Sequence, residues 1–286
     1  MSSLASIVVP VFNGMPHLRD LVSALLAQTY SDLEIVFSDG GSTDGSLEYL
    51  TSIDDPRVRV MTIPAGSGAA ANWTAVTEAG SGEFIKLVCQ DDLITPDAVS
   101  RQVAALQAAP SAVMVIAPRD IIDARGNVLY AKRGCQGLTP GLHSGADVIR
   151  RCYVRGANII GEPLTVLFRR EPILASMPWD DSNPLMLDVT QYAKVAPQGD
   201  VVVEGESAGA FRVSDSSWST RLAHVQREQF ARWQRGYADS LPQPPGRVER
   251  TRAWIGMEQQ ALLRRVAYRV LRLKGAFRSE DDVRDL

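Results

Sequence analysis

The first third of the chain alternates between two hydrophobic rhythms. Ile7–Val11 is a short run of apolar, mostly β-branched residues. His17–Gln28 then sets Leu18, Leu21, Val22, Leu25 and Leu26 at the spacing of an amphipathic helix. The pair of rhythms recurs. A strand is expected at Glu34–Ser38 and a helix at Ser46–Thr51, then a strand at Val58–Ile63 and a small-residue helix from about Ala69. Glu83–Cys89 and Ala112–Ala117 read as a fourth and a fifth strand, flanking a helix from Pro96 to Ala109. Strands separated by helices of this length predict parallel pairing through right-handed crossovers, that is, a doubly wound, mostly parallel α/β sheet. Ligands of such sheets collect beyond the carboxyl ends of the strands.

After Arg119 the rhythm changes. Residues 120–175 mix short apolar runs with glycine and proline, as in Gly156-Ala-Asn-Ile-Ile-Gly-Glu-Pro163. Asp188–Val195 reads as a helix, and Asp200–Val203 and Ala208–Val213 read as strands that complete the same domain. Pro242–Gly246 is a breaker, and Val248–Lys274 reads as one long helix. This divides the chain into a domain over residues 1–220 and a C-terminal helical extension over 221–286.

Four polar clusters fall at or near the expected strand ends. Asn13-Gly14 follows the first strand and by itself is also a plain turn. Ser38-Asp-Gly-Gly-Ser-Thr-Asp44 follows the second: its glycines allow a tight turn, Asp44 suits a helix cap, and Asp39 is left at the strand end. A carboxylate there can accept from a pyrimidine N–H or a ribose hydroxyl, or simply belong to a capped β–α turn. Asp91 and Asp92 end the fourth strand. Adjacent carboxylates repel, so the pair points to a nearby hard cation such as Mg²⁺ or Mn²⁺, which takes carboxylate and phosphate oxygens. The bland alternative is an acid-decorated helix start. Asp188, amid Leu185-Met-Leu-Asp-Val, is either a carboxylate whose pKa burial would raise or a helix-surface acid.

A competing motif is Gly66-Ser-Gly-Ala-Ala-Ala71, which fits the dinucleotide pattern G-x-G-x-x-[G/A] and would suit an NAD(P)-dependent oxidoreductase. It follows the third strand rather than the first, and it leaves Asp39 and the Asp91–Asp92 pair without a joint purpose. His17, His143 and His224 lack ligand spacing, and neither G-x-S-x-G nor a P-loop occurs.

Composition narrows the field. The chain has 286 residues, 45% hydrophobic and 22% charged, with a formal net charge of −3. This is ordinary globular composition and argues against a surface that coats nucleic acid. Three cysteines without C-x-x-C spacing disfavour a zinc knuckle or a disulfide framework, so a cytoplasmic protein is expected. No stretch approaches the ~18 apolar residues of a membrane span.

Together the clusters resemble the inverting family 2 glycosyltransferases, which have the GT-A fold and use nucleotide-sugar donors. The resemblance is carried by Ser6-Ile-Val-Val-Pro-Val-Phe-Asn13, Glu34-Ile-Val-Phe-Ser-Asp-Gly-Gly-Ser-Thr-Asp44, Asn72 and Gly82-Glu-Phe-Ile-Lys-Leu-Val-Cys-Gln-Asp-Asp92. Downstream, Gly161-Glu-Pro-Leu-Thr-Val-Leu-Phe-Arg-Arg170, Asp188 and Phe211-Arg-Val-Ser214 look like the family's acceptor-side segments. The resemblance implies that Pro10, Phe12, Asn13 and Asn72 lie beside the nucleotide and that Asp39 binds the base. It implies that Asp91 and Asp92 hold ribose and a metal-bound diphosphate, that Arg212 meets the diphosphate, and that Asp188 is the catalytic base. Mn²⁺ or Mg²⁺ would be the cofactor, and a glycan or lipid-linked sugar the acceptor. Three positions depart from the pattern: Gly40 and Cys89 stand where the family often has Asp, and Leu187 where an acid often precedes the base. The non-catalytic alternative is a protein that binds nucleotide-sugar without transferring it.

The last expected helix is basic. Arg247–Lys274 holds eight basic residues against two acidic ones. On a helical wheel Arg264, Arg265, Arg269 and Arg272 share one face, and Leu262, Leu263, Val266, Val270 and Leu273 the other. Such a helix suits a peripheral contact with anionic lipid, or docking on the catalytic domain with its arginines in water.

Overall fold

The computed structural model describes residues 3–214 and 225–273. The alternating rhythm becomes β1 (Ala5–Val11), α1 (Leu18–Leu26), β2 (Leu33–Asp39), α2 (Ser46–Thr51), β3 (Val58–Thr62), α3 (Ala69–Ala79) and β4 (Phe84–Leu87). A two-residue strand β5 (Leu93–Ile94) and helix α4 (Ala98–Ala108) lead to β6 (Ala112–Ile116). The region that reads as irregular holds β7 (Arg119–Ile122), β8 (Val128–Arg133), β9 (Gly141–Ser144), α5 (Gly145–Arg155), β10 (Val166–Arg169) and α6 (Arg170–Ala175). Then come α7 (Leu187–Val195), β11 (Asp200–Val203), β12 (Gly209–Arg212), α8 (Gln226–Ser240) and α9 (Arg247–Leu273). The expected 220/221 boundary falls outside the described residues.

Eight strands form one sheet in the order β3-β2-β1-β4-β10-β6-β11-β9, and β5-β12-β7-β8 form a second. The first four run parallel, as the rhythm predicts. The parallel run is interrupted by β10, which inserts antiparallel between β4 and β6. Lys86 of β4 ties this insertion down. Its fully buried Nζ donates to Gln102 Oε1 at 2.8 Å, to the Leu164 carbonyl at 2.5 Å and to the Val166 carbonyl at 3.3 Å. Burial pulls its pKa down to about 7.

The sheet is buried on both faces, which is why β1 reads as a continuous apolar run. Ile7, Val9 and Val11 join a core with α1 and α4, while Val8 joins the core on the other side with α5, α7 and α8. Pro10 shows how the crevice opens. Residues of one parity along a strand bond to the same side, and the Val8 carbonyl accepts from Val88, just beyond β4. The donor that Pro10 lacks therefore faces the side on which β4 pairing has already ended at Val8.

Helix α9 docks by backbone contact. A Cβ on Gly156, which holds φ +64°, would come within 2.1 Å of the Met257 nitrogen, and one on Gly256 within 2.7 Å of the Val154 carbonyl. Ala253 and Met257 are buried there. Glu249 pairs with Arg150 at 2.6 Å, and Glu258 with Arg227.

Candidate active site

The loops after β1 and β2 are held together by side chains that serve backbone. Asp39, 1% exposed at the end of β2, accepts the Gly41 and Ser42 N–H groups on Oδ2, each at 2.9 Å. Gly41 is required: it holds φ +91°, and a Cβ would meet that of Ala65 at 2.6 Å. Asn13, itself at φ 50°, accepts the Thr43 N–H at 2.8 Å and donates its own N–H to Ser42 Oγ at 2.8 Å. Ser46 Oγ accepts from the Gly14 N–H, and Asp44 accepts from Met15 and Ser46. Asp44 thus holds the start of α2, as expected of a capping acid, and also ties it to the first loop.

With these bonds made, several polar atoms remain buried with no partner among the described residues: Ser38 Oγ, Asp39 Oδ1, Asn72 Oδ1 and Asp92 Oδ2. Buried acceptors left unpaired cost free energy unless something supplies a hydrogen or a cation. All four lie at or beside the carboxyl ends of β2 and β4 or at the start of α3. Asn72 donates to the Val11 carbonyl at 3.1 Å, and a Cβ at Gly40 would sit 3.2 Å from its Nδ2. The amide of Asn72 therefore occupies the space beside the position where an Asp is frequent. Phe12, 57% exposed, presents a flat apolar face at the mouth of the same crevice.

The acidic turn after β4 forms the crevice floor. Asp92, 1% exposed, is buried and Asp91 partly exposed. Burial raises the pKa of both; Asp92 is pushed well up, with Asp91 and Glu162 adding repulsion. Two crowded carboxylates, one with an unpaired buried oxygen, fit a divalent cation. No group of three or more His, Cys, Asp or Glu side chains converges on a metal position among the described residues. The pair would therefore share the cation with phosphate oxygens. Cys89 contributes no charge here, since burial and the neighbouring carboxylates push its thiol pKa well up.

Arg212 braces this turn from β12. Its N–H reaches Asp92 Oδ1 at 3.2 Å, and its guanidinium donates to the Asp91 carbonyl at 3.0 Å, the Ala124 carbonyl at 3.2 Å and Asp20 at 3.2 Å. It is 3% exposed, so in this state it shapes the acidic turn from behind.

Asp188 stands in the first turn of α7. Its Oδ1 accepts the Val189 N–H at 2.7 Å and its Oδ2 accepts Asn158 Nδ2 at 2.8 Å. Burial, reinforced by Glu162, raises its pKa to about 7 despite those bonds. A carboxylate of that pKa can take a proton near neutrality and release it again.

Two neutral amides, Gln90 and Asn158, complete the site without a sequence signal. Gln90 accepts the Phe12 N–H at 2.8 Å and donates to the Phe12 carbonyl at 2.9 Å, locking the first loop to the acidic turn. Asn158 uses both donors and both acceptor sites. It donates to the Gly161 carbonyl and Asp188, and accepts from the Ile160 and Gly161 N–H groups. Glu162 is paired with Arg119 close by. The Gly66–Ala71 loop, by contrast, follows β3 at the edge of the sheet rather than a central strand.

The mostly parallel sheet is that of the GT-A fold, with the acidic turn at the carboxyl end of β4 and the half-buried Asp188 at the start of α7. Solved structures of that class match: S. aureus TarS residues 1–349 superposes with a TM-score of 0.66 at 14% identity, over 89% of this chain and 70% of that one. The mannosyltransferase PcManGT from Pyrobaculum calidifontis matches with a TM-score of 0.58 at 16% identity, over 91% and 69% of the two chains. The sequence model described as "Glycosyl transferase family 2" matches residues 6–170, and the chain belongs to that family. An uncharacterized glycosyltransferase of Rickettsia typhi is 30% identical over 242 residues, covering 81% of this chain and 71% of that protein. Chondroitin synthase of Pasteurella multocida is 39% identical over 98 residues, but these are 34% of this chain and only 10% of the synthase. Family membership displaces the oxidoreductase reading of the glycine loop.

Proposed function

We propose that the protein transfers a sugar from a nucleoside-diphosphate donor to a hydroxyl of a glycan or lipid-linked acceptor, with inversion at the anomeric carbon. The observation that carries this reading is the set of buried, unpaired acceptors Asp39 Oδ1, Asn72 Oδ1 and Asp92 Oδ2 at the carboxyl end of the sheet. Asp39 would accept from the base, with Pro10, Phe12, Asn13 and Asn72 around the nucleoside. Asp91 and Asp92 would hold the ribose and, through Mn²⁺ or Mg²⁺, the diphosphate. When bound, the cation supplies positive charge against the leaving diphosphate. Arg212 keeps the acidic turn in place and lies next to that charge. Asp188 takes the proton of the acceptor hydroxyl as it attacks the face opposite the leaving group; one base and one displacement invert the centre.

The neighbours support this reading in kind. TarS has been solved with UDP-GlcNAc and PcManGT with GDP-Man and Mn²⁺. The curated relatives include a chondroitin and a hyaluronan synthase, which suggests a glycan acceptor. We place the enzyme on the cytoplasmic side, at or near a membrane that carries the acceptor. Calorimetric titration with UDP-, dTDP- and GDP-sugars, each with Mn²⁺ and with chelator, tests the donor site. Tight, metal-dependent binding of one nucleotide-sugar is expected, and none of NAD⁺. Binding of NAD⁺ alone would sink the reading.

A further inference from the structure

Helix α9 has two faces of unlike character. Ala253 and Met257, 2% and 4% exposed, look inward against α5 and α8. At about 100° per residue, Val248, Ile255, Leu262, Leu263 and Val266 fall within an arc of roughly 100° on the opposite side. All five are exposed, between 42% and 68%. Trp254, 57% exposed, lies outside that arc, between it and the buried face.

Charge is sorted the same way. The two acids of the helix, Glu249 and Glu258, are drawn to the body by Arg150 and Arg227. Arg265 and Arg269 are exposed and lie along one side of the apolar arc, and Arg252, also exposed, falls within it. The segment Arg247–Lys274 carries eight basic residues against two acidic ones, in a chain whose formal net charge is −3. An apolar stripe bordered by arginines, on a helix already fastened along its other face, has the build of an interfacial helix. A second copy of the chain is a poorer occupant, since it would bring the same arginines against these. Among the described residues no helix is long and apolar enough to cross a membrane, so the stripe would lie along a surface.

We infer that the outer face of α9 binds the surface of an anionic lipid bilayer. Its apolar arc enters the boundary between headgroups and acyl chains, while Arg252, Arg265 and Arg269 meet the headgroup charges. Docked in this way, the enzyme shares a plane with a lipid-linked acceptor. The surface contact itself does not depend on the sugar-transfer reading, and binding is measured without turnover.

The test is co-sedimentation of the full chain with vesicles of phosphatidylcholine alone or with 30% phosphatidylglycerol added, a composition chosen to give about −30 mV or more at physiological salt. Three proteins are compared: wild type, Leu262→Glu with Val266→Glu, and Arg265→Glu with Arg269→Glu. All four positions are exposed, so unchanged melting temperature and circular dichroism are expected of both variants. Wild type should bind the anionic vesicles and lose affinity with added salt, and each variant should bind about tenfold more weakly or worse. Equal binding by all three proteins overturns the inference, as does no preference for anionic over zwitterionic vesicles. Should Leu262→Glu with Val266→Glu instead turn a dimer into a monomer in sedimentation velocity, with no vesicle binding by wild type, a second copy is the occupant and the inference fails. Loss of donor binding in calorimetry, with vesicle binding intact, would count against the proposed function alone.

Discussion

The two walls of the crevice are built differently. On the wall formed by the β1 and β2 loops, polar side chains are committed to backbone. Asp39, Asn13, Ser42, Asp44 and Ser46 all receive main-chain N–H groups, and what is left for a ligand is the remainder of each, such as Asp39 Oδ1. On the other wall the proposed chemistry rests on one carboxyl, Asp188, whose surroundings raise its pKa and which is held by Val189 and Asn158. The first wall distributes its contribution, so damage there is graded; the second concentrates it, so damage is close to all-or-none.

The sharpest test of that contrast is Asp188→Asn. Transfer should fall by about 10²–10⁴-fold with donor affinity unchanged, read as nucleoside-diphosphate release beside a calorimetric Kd. A variant that keeps half its rate moves the base role elsewhere. The same substitution carries a stability signature. The native pKa of about 7 lies above the ordinary 3.8, so ionising Asp188 costs the folded state. Wild-type stability contributed by this group is full below pH 4, declines as pH rises from about 4 to 7, and stays low above. Asp188→Asn should therefore melt like wild type at pH 4 and higher than wild type at pH 8, by about 2 kcal/mol. Equal melting at both pH values would mean that the carboxyl is not strained by burial.

Asp92→Asn should weaken metal-dependent donor binding by about 10–100-fold while raising the melting temperature at neutral pH, because it removes a buried carboxyl crowded by Asp91. Donor affinity that survives with Mn²⁺ present would take Asp92 out of the metal site. Asn158→Ala should lower kcat by about tenfold, consistent with losing a hydrogen bond to a charged group. The amide stabilises ionised Asp188, so its loss raises that pKa and shifts the acid limb of the pH–rate profile upward from about 7. An acid limb that stays in place, with only the melting temperature lowered, would reduce Asn158 to loop glue. The smallest effect is expected from Gln90→Ala on the graded wall. Releasing Phe12 should raise the donor Kd a few-fold and leave kcat almost untouched. A collapse of kcat there would erase the distinction between the walls.

The same contrast governs how far the site is legible in the sequence. The parallel half announces itself because strands buried on both faces are unbroken apolar runs and their helices keep strict spacing; β11 matches its expected range, β1 extends its own by two residues at the start, and β2 by one at each end. Past Arg119 the signal fades for physical reasons. Strand β8 pairs only with β7 and is mostly exposed, so Val128–Arg133 has no reason to alternate. Strand β9 is four mostly exposed residues at the sheet edge. Helix α5 is the exception, since Val148, Ile149, Cys152 and Tyr153 do keep helical spacing in a stretch that otherwise reads as irregular. The acids Asp39, Asp91, Asp92 and Asp188 stand out because charge at a strand or helix end needs a reason. Gln90 and Asn158 do not, because an amide that satisfies backbone 78 residues away, or a carboxylate 30 residues away, looks like any other polar loop residue.

The glycine contact between α5 and α9 has a practical corollary for dissecting this enzyme. Gly156 rests on the Met257 backbone, and Asn158, which orients Asp188, follows two residues later. Shortening the chain ahead of Met257 would not simply remove an appendage: it would strip the footing from under the loop whose Asn158 holds Asp188. A truncated protein that loses both membrane contact and turnover would confound two causes, whereas substitutions on the outer stripe of α9 leave that footing whole.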